Sequence, residues 1–467
     1  MRRLVLMRHA KAKRGGKNMS DRDRPLSKRG RRQAAAMARA MRHGKDLAGE
    51  VHVSGARRAR ETLDEMARHL PQPALNERAL SERAVKDEAL YTFDADALLA
   101  WLRGLPDTTE SVLVIGHNPA LLALGRWLCP AAPDALSTGS VLRLTLPDTP
   151  WPSLTADSAV AMERLSPEQA SHALFARRAP AAPRLGKRGT RRRILAMLAH
   201  QYRGVRALEP GVVAGVDAEF LHQYRVNLRR SRAIGEAVRA TIRVPGLKKR
   251  LARLKAHARA TSDLRDLDVF LASLAETPAP LTTRSRQALT RWLLARRQEA
   301  HAALCRRLAR PDYGEALEDW RRFIASRAFR QALAAISHRR IASVLIERLD
   351  RHDRAHAGLS PQRDDAAFHD LRKAVKRLRY LAELDPKRHR ELLSGLKRRQ
   401  RLLGDLQDLC TRQAWIAAFV ASARHAPRRE RECDAWQAAL EQAKQALRAE
   451  IMALPPLAES CRTTRAR

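Results

Sequence analysis

Aromatic side chains are scarce in this chain of 467 residues, with Phe, Trp and Tyr together at 4%. That scarcity counts against a platform for single-stranded nucleic acid, which stacks bases on such rings. Cysteine is sparse as well. Cys129, Cys305, Cys410, Cys433 and Cys461 are odd in number and scattered, and no CxxC pair occurs. Neither a disulfide framework nor a zinc ribbon is indicated, and a reducing cytoplasm is the expected compartment. No apolar run approaches the ~18 residues of a membrane span, and the short run after Arg3 does not make a secretory signal. Acidic residues are outnumbered: 50 Asp and Glu face 90 Lys and Arg, a formal net charge of +40. So large an excess repels itself in a compact state and suits an anionic partner. Nucleic acid, polyphosphate and acidic membrane surfaces are the candidates, and the lack of aromatics favours an anion without bases.

The length suggests about two to four domains. Residues 1–147 alternate short apolar runs with helical patterns, which predicts an α/β domain with a mainly parallel sheet. Candidate strands are 3–7, 50–54, 111–115 and 141–146, with helices near 27–41, 58–69 and 95–105. Residues 148–189 are rich in proline and alanine and read as a linker with one short helix near 167–176. From 190 to 455 the pattern is helical almost throughout, and 456–467 form a basic tail.

Three pieces of the first domain carry chemistry. Arg8-His9-Ala10 follows the first strand, Ser54-Gly55-Ala56-Arg57-Arg58-Ala59-Arg60-Glu61-Thr62 follows the second, and Gly116-His117-Asn118-Pro119 follows the third. Ligands of open α/β sheets bind beyond the carboxyl ends of the strands, so these pieces can converge on one pocket. A neutral imidazole can attack phosphorus and carry the phosphoryl group. Guanidinium forks hold the negative charge of the transition state. With Arg24-Pro25-Leu26-Ser27-Lys28-Arg29-Gly30, the pieces resemble the histidine phosphatase (phosphoglycerate mutase-like) superfamily, in particular its short SixA-type phosphohistidine phosphatases. That resemblance implies a hydrolase that needs no metal or other cofactor. His9 is implied as nucleophile, Arg8 and Arg58 as phosphate clamps, His117 as the second histidine, and Arg24 and Asn118 as substrate contacts. Ala10 stands where Gly is commoner and Gly55 where Pro is usual. Glu82 is the candidate general acid, against the plainer reading of a solvated loop carboxylate paired to Arg83 or Arg78.

The helical region is duplicated. His222-Gln-Tyr-Arg225-Val-Asn-Leu-Arg229-Arg230-Ser-Arg232 recurs 147 residues later as His369-Asp-Leu-Arg372-Lys-Ala-Val-Lys376-Arg377-Leu-Arg379. Lys255 with Asp263-Leu-Arg-Asp266-Leu recurs 142 residues later as Lys397 with Asp405-Leu-Gln-Asp408-Leu. The two copies span about 190–335 and 336–455 and are expected to pack around a pseudo-two-fold axis. With His222 at zero on a helical wheel, Arg225, Arg229 and Arg232 fall at ~300°, ~340° and ~280°, one stripe. Leu221, Leu228, Ile234 and Val238 occupy the opposite arc, and Leu371, Val375, Leu378 and Leu381 do the same in the second copy. A charge run is usually a solvated face. This one lacks interspersed Glu and occurs twice in one register, and adjacent cations on a rigid face call for an anion.

The region resembles the CHAD family (conserved histidine α-helical domain). The resemblance implies a duplicated all-α bundle whose basic channel binds inorganic polyphosphate. It implies His222, Arg225, Arg229, Arg232, His369, Arg372, Lys376 and Arg379 as the lining, with Lys255 and Lys397 in support. Rival readings are a histidine–carboxylate metal site using Asp263, Asp266, Asp268, Asp405 and Asp408, membrane adsorption, and nucleic-acid binding by charge alone. The resulting expectation is a phosphohistidine-type phosphatase tethered to a polyphosphate-binding module, cytoplasmic, with polyphosphate granules as a candidate location. The alternatives are a non-catalytic polyanion scaffold and a phosphatase acting on polyphosphate or small phosphate esters.

Overall fold

The computed structural model describes residues 1–16, 18–70, 80–185, 189–276, 279–360, 365–422 and 426–458. Arg78, Cys461 and the tail beyond 458 lie outside the described residues. The chain divides into two compact units, one of Met1–Ala179 with Pro210–Phe220, the other of Pro180–Glu209 with Leu221–Arg467. No helix among the described residues is long and apolar enough to cross a membrane.

The first unit is built on a six-stranded sheet of β1 (Arg2–Arg8), β2 (Glu50–Ser54), β3 (Val85–Asp87), β4 (Ser111–Gly116), β5 (Val141–Leu146) and β6 (Ala161–Leu165), in the order β3-β2-β4-β1-β5-β6. β1 to β3 run parallel to their neighbours through β4, and β5 and β6 are antiparallel. Both faces of the sheet are covered, so β1 and β4 are continuous apolar runs with no polar side. Val5, Met7, Leu113 and Ile115 enter one core, while Leu4, Leu6, Val112 and Val114 enter the other. The flanking helices are α1 (Lys28–His43), α2 (Arg57–Arg68), α3 (Leu80–Arg83), α4 (Ala95–Arg103), α5 (Ala120–Leu128), α6 (Pro167–Ala170) and α7 (His172–Phe175).

Two strands escaped the sequence reading. β3 is three residues long and largely exposed, which leaves no apolar period. β6 lies within the stretch expected to be a linker. It pairs with β5 from Val141↔Leu165 to Thr145↔Ala161, and Trp151 is fully buried ahead of it. An edge strand needs only one apolar contact row, and its prolines sit in the turns around it. The expected short helix at 167–176 is two single-turn helices broken at Ser171.

The second unit is helical: α8 (Thr190–Ala214), α9 (Ala218–Thr241), α10 (Leu247–Arg259), α11 (Ser262–Glu276), α12 (Thr283–Leu308), α13 (Pro311–Ala325), α14 (Arg327–Ala332), α15 (His338–Ala357), α16 (Asp365–Ala382), α17 (Arg390–Ala421) and α18 (Pro427–Met452). The end of α8 and the first turn of α9 pack with the first unit. The duplicated stripes fall on α9 and α16. Their apolar partners Leu221, Leu228, Ile234, Val238, Leu371, Val375, Leu378 and Leu381 are all buried. Leu267 and Phe270 on α11 and Leu289 on α12 share one core with Ile416 on α17 and Trp436 on α18. The copies differ within a stretch of constant offset: α10 and α11 break at Ala260–Thr261, whereas α17 runs through 32 residues.

Candidate functional site

Parallel pairing of β1 with β4 and of β4 with β2 brings three strand ends together. His9 leaves β1 with its N–H on the Gly116 carbonyl (3.1 Å), so His9 and His117 emerge side by side. Their ring centroids are 5.0 Å apart. His9 and His117 are only 9% and 2% exposed, and Arg58 on the first turn of α2 is 3% exposed.

The hydrogen bonds fix the imidazole tautomers. His9 Nδ1–H donates to the Ala10 carbonyl (2.8 Å), which leaves Nε2 as the acceptor. Arg58 Nε–H donates to that Nε2 (3.1 Å) and Arg58 Nη2–H to His117 Nδ1 (3.2 Å). His117 therefore carries its proton on Nε2 and donates it to Ser54 Oγ (2.8 Å). Behind His9, the Ala10 N–H donates to Thr62 Oγ (3.0 Å), and Thr62 in turn donates to the Arg58 carbonyl (2.7 Å). Arg8 Nη1 and Asn118 Nδ2 share the Leu136 carbonyl at 2.7 and 3.2 Å. Gly139, with φ of +79°, closes that loop onto the site, its N–H on the Arg8 carbonyl (3.0 Å).

Asp21 sits over this array. Its Oδ2 accepts from Arg58 Nη2 (2.9 Å) and Tyr91 Oη (3.2 Å), its Oδ1 from Arg24 Nη1 (2.8 Å), and its carbonyl from Arg58 Nη1. Tyr91 and Phe93 pack against the His117 ring at 5.3 and 5.4 Å.

Burial holds the His9 imidazole down to about 4, and Arg58, Arg8 and Arg24 reinforce this against the opposing Ala10 carbonyl. His117 is held down to about 3 by burial first, then by His9 and Arg58, with Asp21 opposing. Both rings are neutral at pH 7, and His9 presents an unprotonated Nε2. The hydrogen bond from Arg24 leads in holding Asp21 down to about 2, against its partial burial, with Arg58 and Tyr91 adding to it.

The expectation for Glu82 is corrected. Glu82 is exposed on α3, ahead of the amino end of β3. Its neighbour Arg83 is bound to the Gly49 carbonyl (3.1 Å), ahead of the amino end of β2. β2 and β3 are parallel, so Glu82 is at the sheet edge opposite the imidazoles. Two carboxylates stand at the carboxyl end of β3: Asp87, which accepts from the Ala89 N–H and Trp101 Nε1, and Glu88, which accepts from Arg22 Nη2 (2.5 Å). Sequence reasoning also missed the placement of Asp21, Ser54, Tyr91 and Phe93. Ser54 stood in a quoted motif without a role, and the others gave no periodic or motif signal.

In the second unit the stripes of α9 and α16 are within electrostatic reach of one another. Lys376 is pushed down to about 7, by burial first and then by Arg372, Arg229, Arg232 and Arg225. Arg225 donates to Thr261 Oγ (2.6 Å) at the α10–α11 break. Asp266 and Asp408 are pushed up by burial against the pull of Arg225 and Arg372 respectively. Asp268 pairs with Arg297 (2.7 Å). These aspartates therefore face guanidiniums, and no metal-holding group of three or more His, Cys, Asp and Glu occurs among the described residues. Arg379 points its Nε to Glu383 (2.8 Å) and its Nη1 to Gln400 (2.5 Å). His369 Nδ1 meets Gln407 Oε1 at 2.5 Å. His222 is half-buried on α9, and Lys255 and Lys397 are exposed on α10 and α17. Arg259 and Tyr380 also reach Arg232 electrostatically, a consequence of helix packing that no stripe on one helix displays.

Residues 4–98 match the family model described as histidine phosphatase superfamily (branch 1), and residues 196–417 match that of the CHAD domain. Among solved structures, the protein histidine phosphatase SixA complexed with tungstate is 27% identical, the alignment covering 35% of this chain and 97% of that one, with a TM-score of 0.29. The CHAD domain from the plant Ricinus communis is 21% identical over 57% of this chain and 93% of that one, TM-score 0.46. PptA from Streptomyces chartreusis is 17% identical over 56% and 98%, TM-score 0.44. No curated protein matches the chain. The chain thus carries a histidine phosphatase superfamily (branch 1) domain matched over residues 4–98 and a CHAD domain matched over residues 196–417.

Proposed function

We propose that the first unit is a phosphohistidine-type phosphatase working through a covalent phospho-His9, and that the basic face of the second unit binds inorganic polyphosphate. The carrying observation is the neutral Nε2 of His9, with the Arg58 Nε 3.1 Å away and the His117 ring beside it. In this reading His9 Nε2 forms an N–P bond as the donor's P–N bond breaks, and the departing imidazole takes a proton from water. A water molecule then attacks phospho-His9, releasing phosphate and returning a proton to solvent. Arg8, Arg24 and Arg58 balance the phosphoryl oxygens, with Asn118 beside Arg8. His117 Nδ1, which accepts from Arg58, donates to an oxygen only after taking up a proton, a change that the charge of a phosphoryl dianion favours. The carboxylate that touches the array, Asp21, is held near 2 and cannot act as a general acid. A labile P–N bond suits such a site better than an ester, whose alkoxide needs protonation.

His9→Ala is expected to abolish phosphate release from a phosphohistidine protein while leaving polyphosphate binding intact. Turnover retained in that variant overturns the mechanism.

For the second unit, the supporting observation is Lys376, held near 7 among the cations of both copies. Adjacent buried cations lose Coulomb energy until an anion joins them. Such binding would concentrate the chain at cytoplasmic polyphosphate granules. Arg229→Glu with Lys376→Glu is expected to weaken polyphosphate binding by at least roughly tenfold and to lower its salt dependence. Equal displacement by DNA at fixed salt counts against specificity for polyphosphate. Shortening of polyphosphate during incubation with the wild type would instead make the polymer a substrate.

A further inference from the structure

The array that the preceding reading assigns to phosphate is already occupied by an anion of the chain itself. Asp21 Oδ1 and Oδ2 lie at 2.8 and 2.9 Å from guanidinium nitrogens of Arg24 and Arg58. Two oxygens bridging two arginines is the contact pattern a phosphoryl group would make there. The Asp21 side chain is 51% exposed and Arg24 30%, and Phe93 is 46% exposed. His9, His117 and Arg58 are all below 10%. A ligand reaching the imidazoles therefore passes the carboxylate. With both imidazoles neutral, three guanidiniums and one carboxylate leave a formal charge of about +2, which complements a phosphoryl dianion. A second phosphate attached to that group would bring more negative charge to the mouth where Asp21 stands.

We propose that Asp21 is the built-in counter-ion of the phosphate site, competing with bound anions in proportion to their charge and so favouring a single terminal phosphoryl group over a condensed phosphate. The proposal rests on Arg8, Arg24, Arg58 and the histidine pair being a phosphate site. Asp21 is a specificity-determining residue in this scheme, and the step of attack by His9 does not use it. Charge-weighted competition also distinguishes it from a simple anchor for Arg58. An anchor affects all anions alike, whereas a fixed charge acts more strongly on the more highly charged ligand.

The test is competitive inhibition of p-nitrophenyl phosphate turnover by the full chain, so that anion binding elsewhere does not enter the reading. Inorganic phosphate and pyrophosphate are the inhibitors, at low and high salt. Asp21→Asn and Asp21→Ser are expected to tighten both, pyrophosphate more, shifting the ratio of the two inhibition constants by roughly tenfold at low salt and less at high salt. Asp21→Glu is expected to keep the wild-type ratio. An unchanged ratio in the neutral variants, or an equal weakening of both inhibitors, overturns the proposal, as does loss of turnover in every folded variant. Failure of the wild type to turn over the ester or to be inhibited by phosphate would instead strike the phosphate-site reading beneath it, before any variant is compared.

Discussion

Arg58 directs its protons to four acceptors at once: the His9 Nε2, the His117 Nδ1, and the Asp21 carbonyl and carboxylate. Only a planar fork with donors at fixed angles can do this, and an ammonium is a single point charge. Arg58→Lys is therefore expected to lower kcat for phosphate release on the order of a hundredfold while the net charge of the pocket stays the same. A kcat within a few-fold of wild type would show that charge alone suffices. Ser54 acts at the same scale by receiving the His117 Nε2 proton, which leaves Nδ1 as the acceptor facing Arg58. None of these assignments is visible in the chain order. Arg57, Arg58 and Arg60 look alike in sequence, and only the first turn of α2 aims one of them at the imidazoles.

Among the elements, the approach of α1 to the segment after β1 is set by Gly30. A Cβ there would lie 2.2 Å from the Lys11 carbonyl oxygen, which is backbone and cannot swing aside. The same segment takes the Ser27 N–H on the Lys11 carbonyl (2.8 Å), so the Arg24-to-Gly30 motif is a clamp holding the Arg24 loop against β1. Gly30→Ala is expected to destabilise the first unit by roughly 1–3 kcal/mol, the usual cost of overpacking, and to raise KM more than it lowers kcat. Unfolding and steady-state kinetics together read both effects, and an unaltered stability would remove the clamp. In the second unit, the helix break at Thr261 gives Arg225 a hydroxyl acceptor, whereas the matching stretch of the second copy runs unbroken in α17. The duplication was legible as a repeat of residue types. The break was not, because Thr261 gains its partner only from a helix distant in sequence.

At the scale of the whole molecule, acid weakens the fold through the buried imidazoles of the first unit. Imidazoles unfold to an ordinary value near 6.5, but folding holds His9 at about 4 and His117 at about 3. Below pH 6.5 the unfolded chain takes up protons that the folded chain refuses. Stability is therefore fully present above that value and falls as the pH drops toward 4 and then 3, by up to about 1.4 kcal/mol per pH unit for each ring. Protonating carboxylates in a chain of formal charge +40 deepens the loss by self-repulsion. The urea midpoint of the first unit, followed by labelling of the buried Cys129, is expected to fall between pH 7.5 and 5, and to fall less in a His9→Gln, His117→Gln variant. Equal slopes in the two proteins would dissociate the imidazoles from the effect.

The amino-acid sequence by itself determined the class of each unit, four of the six strands and the two basic stripes, and through a family resemblance it offered His9, Arg8, Arg58 and His117 as candidates. Those features are written in apolar period and in residues adjacent along the chain. Tertiary structure alone decided that Glu82 faces away, that Asp21 and Ser54 belong to the array, that residues 161–165 add a strand, and that the cations of α9 and α16 share one electrostatic environment. The physical reason is the same throughout: a hydrogen bond or a Coulomb interaction depends on distance in space, and residues far apart in sequence acquire that distance only when strands pair and helices pack.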